Sequence, residues 1–276
     1  MVLIVLLVLL IVGLLLNKES IEGLTLGTSL YTAVIIEPRK HKAMEFVLTN
    51  FMTNLNSDWD FVIFHGTENQ EFIEDIINTK LSKHIPRITM VNMGVKNLTR
   101  EQYSLMFYDE QMYKYIRTEV FLIFQTDSMI FAENKDKIND FLQYDYVGAP
   151  WPSTMGIHGK AQVGNGGLSL RRKSKMLELL SHKETFEKNL LGSNIEYYYF
   201  GKYPVEDIYF CGYLTPNVKV NKPHFDKAKE FSIESVYYDK PFGVHKIWDG
   251  LTRHQMKLLI YYYPDLATLI KLNSLT

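Results

Sequence analysis

FLIFQTDSMIF, residues 121–131, is the part of the chain that most strongly indicates a fold. Every residue from Val120 to Phe124 is bulky and apolar, which is typical of a central strand in a parallel sheet covered on both faces. The polar residues Gln125, Thr126 and Asp127 follow it. Ligands of open α/β sheets bind outside the carboxyl ends of the strands, so a nucleotide or a metal is expected here. Thr-Asp-Ser is also ordinary turn sequence, and alone it does not separate these interpretations.

The residues before this stretch predict alternating strands and helices, in the order of a nucleotide-binding α/β domain. Strands are expected at residues 31–37, 60–66 and 88–93, and helices at residues 41–55, 72–81 and 99–117. The chain contains neither a G-x-G-x-x-G sequence nor a Walker sequence. Dinucleotide dehydrogenases and P-loop enzymes are therefore disfavoured.

Three further motifs follow in the second half of the chain. In VGNGGLSLR, Asn165 and the two glycines after it predict a tight turn or a close backbone approach to a ligand. In YPVEDIYF, Glu206 and Asp207 fall in the first turn of a predicted helix, where acidic residues also complement the helix dipole. In PFGVHKIW, His245 lies in a loop that contains proline and glycine. A structural role explains each motif, taken alone, as readily as a binding role does.

The composition indicates one ordinary globular domain. The chain has 276 residues, of which 46% are hydrophobic, enough for a single core once the N-terminus is set aside. Thirty basic and 31 acidic residues give a net charge of −1, so an anionic ligand needs a local site and nucleic-acid binding is disfavoured. Cys211 is the single cysteine, which excludes an internal disulfide and a cysteine-based zinc cluster.

Residues 1–16, MVLIVLLVLLIVGLLL, contain no charged or polar side chain. As a helix they reach about 24 Å, slightly less than the roughly 30 Å hydrocarbon core of a bilayer. We expect a transmembrane signal-anchor or a signal peptide, with a buried helix of a soluble protein as the alternative. The expected localisation is a single-pass, type II-like membrane protein whose main domain lies outside the bilayer. Residues 17–30 are expected to be a linker, residues 31–250 the main domain and residues 251–276 a C-terminal helical extension.

Taken in order, the sequences QTDS, GAPW, GNGGLSLR, VEDIYF and PFGVHKIW resemble a domain family of unknown function that is found in large DNA viruses and fungi and is considered similar to the GT-A glycosyltransferases. The resemblance covers roughly residues 31–248. It implies a single GT-A-like α/β domain with a mixed, mostly parallel sheet flanked by helices. It also implies a hexosyltransferase-like enzyme that transfers a sugar from a nucleotide-diphosphate sugar to a hydroxyl group of a glycan or glycoprotein.

In enzymes of that fold, a D-x-D motif after a strand carries Mn²⁺ or Mg²⁺, and a late histidine often completes the metal's ligands. The resemblance therefore implies that Asp127 and His245 bind the cation. It implies a donor-binding set made of Glu37, Arg39, Gln125, Thr126, Asp127, Asn165, Gly166, Gly167 and Arg171. Gln125 departs from the pattern because it stands where the first acid of D-x-D would be. An amide oxygen there weakens metal binding without excluding it.

A Glu-Asp pair in the loop that leads into a helix contains the catalytic base in several inverting families of this fold. The resemblance implies that Asp207 is the general base and that Glu206 orients the acceptor hydroxyl. Trp151 and Trp248 are the candidates for packing against the acceptor sugar, although aromatic residues more often belong to the core. Two other interpretations stay open: a catalytically inactive carbohydrate-binding or scaffold protein, which Gln125 permits, and a hydrolase that transfers the sugar to water.

Overall fold

The computed structural model describes residues 29–191, 199–200 and 202–274. Its strands are β1 (Tyr31–Glu37), β2 (Trp59–His65), β3 (Ile88–Asn92), β4 (Val120–Phe124), β5 (Ser128–Ile130), β6 (Tyr146–Val147), β7 (Leu168–Arg172), β8 (Tyr199–Phe200), β9 (Tyr203–Pro204), β10 (Ser232–Ile233) and β11 (Gly243–His245). Its helices are α1 (Met44–Asn54), α2 (Gln70–Lys80), α3 (Arg100–Met106), α4 (Glu110–Lys114), α5 (Gly156–Ala161), α6 (Lys173–Ser181), α7 (Glu206–Phe210), α8 (Phe225–Phe231), α9 (Arg253–Tyr262) and α10 (Asp265–Asn273). Short 3-10 helices lie at Ser82–Arg87, Ala132–Asp140, Lys188–Leu191 and Ile247–Asp249.

The main sheet has six strands in the order β3-β2-β1-β4-β7-β6. β1 pairs in parallel with β2 and β4, and β2 pairs in parallel with β3. β7 pairs antiparallel with both β4 and β6. The predicted mixed, mostly parallel sheet is therefore confirmed, and β4 lies inside it.

β4 is buried at every position, as its uninterrupted apolar sequence predicts. Leu122 and Phe124 belong to the core on one side of the sheet, where Phe124 stacks on Phe51 of α1 with ring centroids 3.9 Å apart. Phe121 and Ile123 belong to the core on the other side. Because both faces are packed, β4 is a rigid support for the polar residues that follow it.

A second sheet, with three strands in the order β10-β11-β5, continues from the end of β4. β11 pairs antiparallel with β5, and this register places His245 opposite Ser128, the residue after Asp127. β10 pairs in parallel with β11, with Ile233 opposite Val244, so the next residue, Glu234, falls beside His245. The small sheet thus brings three titratable residues that are distant in sequence into one row.

The predicted single helix at residues 99–117 is wrong, because the structure divides this segment into α3 and α4. Thr99 caps α3 through a capping box with Gln102. After Met106 the helix ends, and Asp109 begins α4 by accepting the backbone N–H of Gln111 at 2.9 Å. An aspartate that caps a new helix competes with continuation of the preceding one, and the apolar periodicity does not reveal this competition.

The C-terminal helices α9 and α10 pack on the main core through Leu259, Leu266 and Leu269. Asn273, at the end of α10, donates its Nδ2–H to the carbonyl oxygen of Thr126 at 3.0 Å. The loop after β4 is therefore held from the C-terminal side as well as by the small sheet.

The predicted membrane localisation requires correction. Among residues 29–191, 199–200 and 202–274, no helix combines the length and the apolar character needed to cross a bilayer. Residues 1–16, on which the prediction was based, and most of the predicted linker lie outside the described residues.

Asn50 of α1 fixes β5 with both ends of its amide, and its loss should destabilise the fold. Its Nδ2–H donates to Ile130 O at 2.9 Å, and its Oδ1 accepts from Ile130 N at 2.7 Å. Asn50→Ala leaves both backbone groups of the fully buried Ile130 without these partners. We expect the free energy of unfolding, measured by urea denaturation, to fall by about 1–3 kcal/mol. The control Thr53→Ala, at an exposed position of α1, should change it by less than about 0.5 kcal/mol, and equal losses would contradict the assignment.

Candidate active site

A cavity of about 360 Å³ opens where the loop after β4, the end of β11 and the start of α7 meet. Most of the sequence-predicted site residues line it, namely Gln125, Asp127, Asn165, Gly166, Gly167, Glu206, Asp207 and His245. The structure therefore gathers motifs from four separate segments of the chain around one space.

Polar side chains converge on His245 at one end of this cavity. Its Nε2 lies 3.3 Å from Asp127 Oδ1 and 3.2 Å from Gln125 Oε1. Its Nδ1 lies 3.2 Å from Oε1 of Glu234. Only 6% of His245 is exposed, so two carboxylates and an amide surround an imidazole with almost no water contact.

The charges at this end of the cavity stabilise one another. Burial lowers the pKa of His245, but the carboxylates of Asp127 and Glu234 raise it by more, to about 10. Burial raises the pKa of Asp127, but the interaction with His245 outweighs this effect and leaves the pKa below its ordinary value. Asp127 is therefore held as a carboxylate.

Asp127 and His245 offer two ligands to a divalent cation, the imidazole only after it loses the proton that its raised pKa retains. Asp127 Oδ1 is buried and, within the described part of the chain, makes no hydrogen bond of standard geometry. Carboxylate oxygens are the ligands that Mg²⁺ and Mn²⁺ prefer. An imidazole nitrogen binds these two cations less strongly than a carboxylate oxygen does. The described residues contain no group of three or more His, Cys, Asp and Glu side chains arranged to hold a metal. A cation here would need the amide oxygen of Gln125, water or a bound phosphate to complete its coordination.

The two glycines of the NGG motif, Gly166 and Gly167, have no side chains and so leave space for Glu206 at one end of the cavity and His245 at the other. A Cβ atom on Gly167 would lie 2.2 Å from His245 Nε2, and one on Gly166 would lie 2.3 Å from Glu206 Oε1. The turn is held by Asn165, whose Oδ1 accepts the Gly167 N–H at 3.1 Å. The close backbone approach predicted from this motif is thus an approach to the protein's own titratable side chains.

Arg171 and Glu206 form a buried ion pair under the other end of the cavity. Arg171 Nη2 lies 3.1 Å from Glu206 Oε1, and the arginine is fully buried. Its guanidinium carbon lies 4.5 Å from the ring centroid of Phe107 and 5.1 Å from that of Tyr146. These contacts fix one carboxylate oxygen of Glu206.

Asp207 is more exposed than Glu206 and lines the same cavity. Burial raises the pKa of Asp207 well above the ordinary carboxyl value, and the adjacent Glu206 carboxylate raises it further. Asp207 Oδ1 accepts the backbone N–H of Ile208 at 2.8 Å. Asp127 and Asp207 therefore share a cavity but have opposite pKa shifts.

A second cavity, of about 250 Å³, adjoins the first. Four residues line both cavities and mark their junction: Arg100, Tyr103, Gln125 and Asp127. The wall of the second cavity also contains Thr126 and the ion pair of Glu37 and Arg39. Arg39 Nε and Nη2 each donate to a Glu37 carboxylate oxygen at 2.8 Å, which gives this wall a fixed geometry.

Three sequence-predicted residues do not line either of these cavities. The side chain of Arg171 is fully buried and paired with Glu206, and contact of this residue with a donor stays a prediction. Trp151 is only 2% exposed, and its ring lies 4.7 Å from that of His158. Trp248 packs against the main core. Acceptor binding by these two tryptophans stays a prediction.

Six residues that line the first cavity escape prediction from sequence: Arg100, Tyr103, Ser104, Val205, Glu234 and Lys246. The hydroxyl of Tyr103 is buried beside the Gln125 side chain and makes no hydrogen bond of standard geometry within the described residues. Lys246 has a left-handed backbone with φ 43° and ψ 41°, and its N–H donates to Asp127 O at 3.0 Å. Its position next to His245 was an available signal. Glu234 lies in no recognisable motif, and the pairing of β10 with β11 alone brings it to the site.

Several solved structures that are similar in fold to this chain are glycosyltransferases. The apo form of the glycosyltransferase GlyE from Streptococcus pneumoniae TIGR4 has a TM-score of 0.50 and 11% identity, over 90% of this chain and 63% of that chain. The apo structure of the bifunctional glycosyltransferase WbbM has a TM-score of 0.51 and 8% identity, over 90% of this chain and 52% of that chain. The mannosyltransferase PcManGT from Pyrobaculum calidifontis, in complex with GDP-Man and Mn²⁺, has a lower TM-score of 0.45 and 10% identity, over 71% of this chain and 55% of that chain.

The chain therefore has the fold of the GT-A glycosyltransferases and spans between half and two thirds of the length of these matched structures. A family model described as "Protein of unknown function (DUF5672)" matches residues 87–245, which is more than half of the chain. The chain belongs to this family. The matched segment contains Asp127, Gly167, Asp207 and His245. The sequence has no match among curated proteins.

Gly167→Ala tests whether the position of His245 depends on the absence of a side chain at residue 167. The added methyl group would lie 2.2 Å from Nε2 and 2.3 Å from Cε1, so the imidazole must shift from its present position. We expect the free energy of unfolding to fall by about 1–3 kcal/mol. In a His245→Ala background, where the ring is absent, the same substitution should cost much less. Urea unfolding of the four proteins measures both costs, and equal costs would contradict the steric explanation.

Proposed function

We propose that this protein is a glycosyltransferase that takes a sugar from a nucleotide-diphosphate sugar and transfers it to a hydroxyl group of a glycan or glycoprotein. The observation that carries the proposal is the meeting of two cavities at Asp127, one containing His245 and Asp207 and the other containing Glu37 and Arg39. Two adjoining cavities suit a ligand that has a nucleoside at one end and a sugar at the other. The fold supports the same class of enzyme, although a fold alone does not determine an activity.

We place the nucleoside in the smaller cavity, the sugar in the larger one and the diphosphate at their junction. Arg100 lines both cavities and supplies positive charge at this junction. The hydroxyl of Tyr103, which makes no hydrogen bond of standard geometry within the described residues, would donate to a phosphate oxygen. Asn165 and the glycines after it would contact the sugar in the larger cavity.

Asp127 and His245 would hold a divalent cation, Mn²⁺ or Mg²⁺, with the amide oxygen of Gln125 nearby. When bound, the cation would neutralise the negative charge that develops on the departing diphosphate. Asp127 suits this role because it is held as a carboxylate, and the bound cation would replace the positive charge that the His245 imidazolium supplies in its absence. Lys246, whose backbone N–H is bonded to Asp127 O, also lies in the cavity wall, with its ammonium group paired to Asp249.

Asp207 would remove the proton from the acceptor hydroxyl. Its Oδ1 already accepts the Ile208 N–H, so we assign the proton to Oδ2. Glu206 Oε1 is held by Arg171, which leaves Oε2 to orient the hydroxyl. In a single displacement, the acceptor oxygen bonds to the anomeric carbon while the bond from that carbon to the diphosphate breaks, and the configuration inverts. The raised pKa makes Asp207 a stronger base than an ordinary carboxylate, provided that it is ionised.

A screen of nucleotide sugars for release of nucleoside diphosphate, with and without Mn²⁺, tests this proposal. We expect release from at least one donor, stimulated by Mn²⁺ and stopped by EDTA. Asp127→Ala should abolish Mn²⁺-dependent nucleotide binding in calorimetry, and His245→Ala should weaken it less because one ligand of several is lost. Asp226→Ala removes an exposed carboxylate paired with Lys229 and serves as the control.

The same screen separates the competing functions. Sugar released to water without a glycoside product would indicate a hydrolase, and binding without turnover would indicate a catalytically inactive carbohydrate-binding protein. Unchanged Mn²⁺-dependent affinity in Asp127→Ala would remove Asp127 from the proposed site.

Asp207→Asn should lower turnover by roughly 10²-fold or more with nearly unchanged donor affinity, as expected for loss of a general base. Because only the ionised carboxylate accepts a proton, wild-type kcat/KM should rise with pH through the raised pKa of Asp207. Glu206→Gln removes the charge that helps to raise this pKa, so it should move the rise to lower pH and increase the acceptor KM. Unchanged turnover in Asp207→Asn, or a product with retained configuration, would contradict the assignment.

A further inference from the structure

We infer that Glu234 is a positioning residue that acts through His245: it accepts the Nδ1–H of the imidazole and thereby directs Nε2 towards Asp127. The inference rests on the proposed function, because it concerns how this chain prepares the cation site of that function. Glu234 is itself outside every motif that indicated the site.

The geometry is set by the small sheet. The parallel register of β10 and β11 places Glu234 beside His245, and the antiparallel register of β11 and β5 places Asp127 on the other side. The distance from Glu234 Oε1 to Nδ1 is 3.2 Å, and the distance from Asp127 Oδ1 to Nε2 is 3.3 Å. Each carboxylate therefore faces a different nitrogen of the same ring.

An imidazole can bind a cation through Nε2 only if that nitrogen presents a lone pair. The proton of the neutral ring must then reside on Nδ1, and a hydrogen-bond acceptor at Nδ1 selects this tautomer and fixes the ring orientation. Within the described residues, Nδ1 makes no hydrogen bond of standard geometry, and the Glu234 carboxylate lies within hydrogen-bond distance. A small rotation of the Glu234 side chain completes the bond.

Other roles for Glu234 fit the contacts less well. Within the described residues it forms no ion pair with a lysine or arginine; the neighbouring Lys246 pairs with Asp249 instead. As a direct ligand it would have to share the cation with Asp127, yet it lies at the opposite nitrogen of His245. Its side chain is 14% exposed at the cavity wall, so neither burial in the core nor a surface ion pair explains its position.

The test compares Glu234→Ala, Glu234→Gln, His245→Ala and the double variant Glu234→Ala/His245→Ala in binding of Mn²⁺ alone, measured by electron paramagnetic resonance without any nucleotide sugar. Glu234→Ala should raise the Kd for Mn²⁺ by roughly 10- to 100-fold, as found when such hydrogen-bond partners of metal ligands are lost. Glu234→Gln should restore most of the affinity, because its amide oxygen also accepts the Nδ1–H. In the His245→Ala background, Glu234→Ala should have no further effect.

Glu230→Ala, at the end of α8 where Glu230 pairs with Lys227, is the matched control and should bind Mn²⁺ as the wild type does.

A second measurement is independent of affinity. In protein with ¹⁵N-labelled histidine and saturating Mg²⁺, which is diamagnetic, His245 should carry its proton on Nδ1 in the wild type and in Glu234→Gln. In Glu234→Ala the Nδ1–H signature should be lost or mixed with that of the other tautomer.

The outcomes separate this inference from the proposed function. If the wild type binds Mn²⁺ and Glu234→Ala binds it equally well, the positioning role is refuted while the glycosyltransferase proposal stands. Equal losses in Glu234→Ala and Glu234→Gln, or a further loss in the His245→Ala background, would instead make Glu234 a direct ligand or a source of charge and also refute it. Absence of Mn²⁺ binding by the wild type would refute both this inference and the proposed metal dependence, whereas sugar transfer would still be measured by the donor screen.

Discussion

The pairing of β11 with β5 is the constraint on which the candidate site depends. It sets His245 opposite Ser128 and so brings an imidazole to the loop that carries Gln125 and Asp127. β5 itself is short, and it is held by the side chain of Asn50 on one edge and by β11 on the other. Because the loop after β4 is also bonded to Asn273 and Lys246, its backbone cannot move without breaking several of these contacts. A site built on such a loop is rigid before any ligand binds, which limits the reorganisation that binding requires.

The buried Arg171 has the corresponding role at the other end of the cavity. A fully buried guanidinium requires a counter-charge, because an unpaired charge in the protein interior is strongly unfavourable. Glu206 supplies it at 3.1 Å, and the rings of Phe107 and Tyr146 lie against the guanidinium. This arrangement fixes the start of α7 and therefore also the position of Asp207. The arginine that sequence patterns assigned to the donor is better described as the support of the acidic pair.

The parts of this structure that could be predicted are those determined by local sequence. The apolar run Val120–Phe124 predicts a central strand because its burial on both faces follows from composition alone. The polar residues after it were predicted to line a site from their position at the carboxyl end of this strand, and the glycine pair from the backbone freedom of glycine. The burial of Arg171 and the arrival of Glu234 could not be predicted in this way, since both depend on strand pairings between distant segments. The break between α3 and α4 was missed for a local reason, because capping by Asp109 competes with an otherwise continuous helical pattern.

The two aspartates of the cavity show how one site can contain an anion and a base made from the same side chain. Both are partly buried, which by itself raises the pKa of a carboxyl group. Asp127 faces the imidazole of His245, and this interaction lowers its pKa below the ordinary value, so it persists as an anion over a wide pH range. Asp207 instead has the Glu206 carboxylate as its neighbour, and like charge adds to the effect of burial. Environments that separate the pKa values of paired acids also separate their chemical roles. A group that stays ionised suits electrostatic work on a phosphate or a cation, whereas a group that readily takes up a proton suits work on a hydroxyl. The neighbouring group therefore sets the role of each aspartate: the imidazole of His245 for Asp127 and the carboxylate of Glu206 for Asp207.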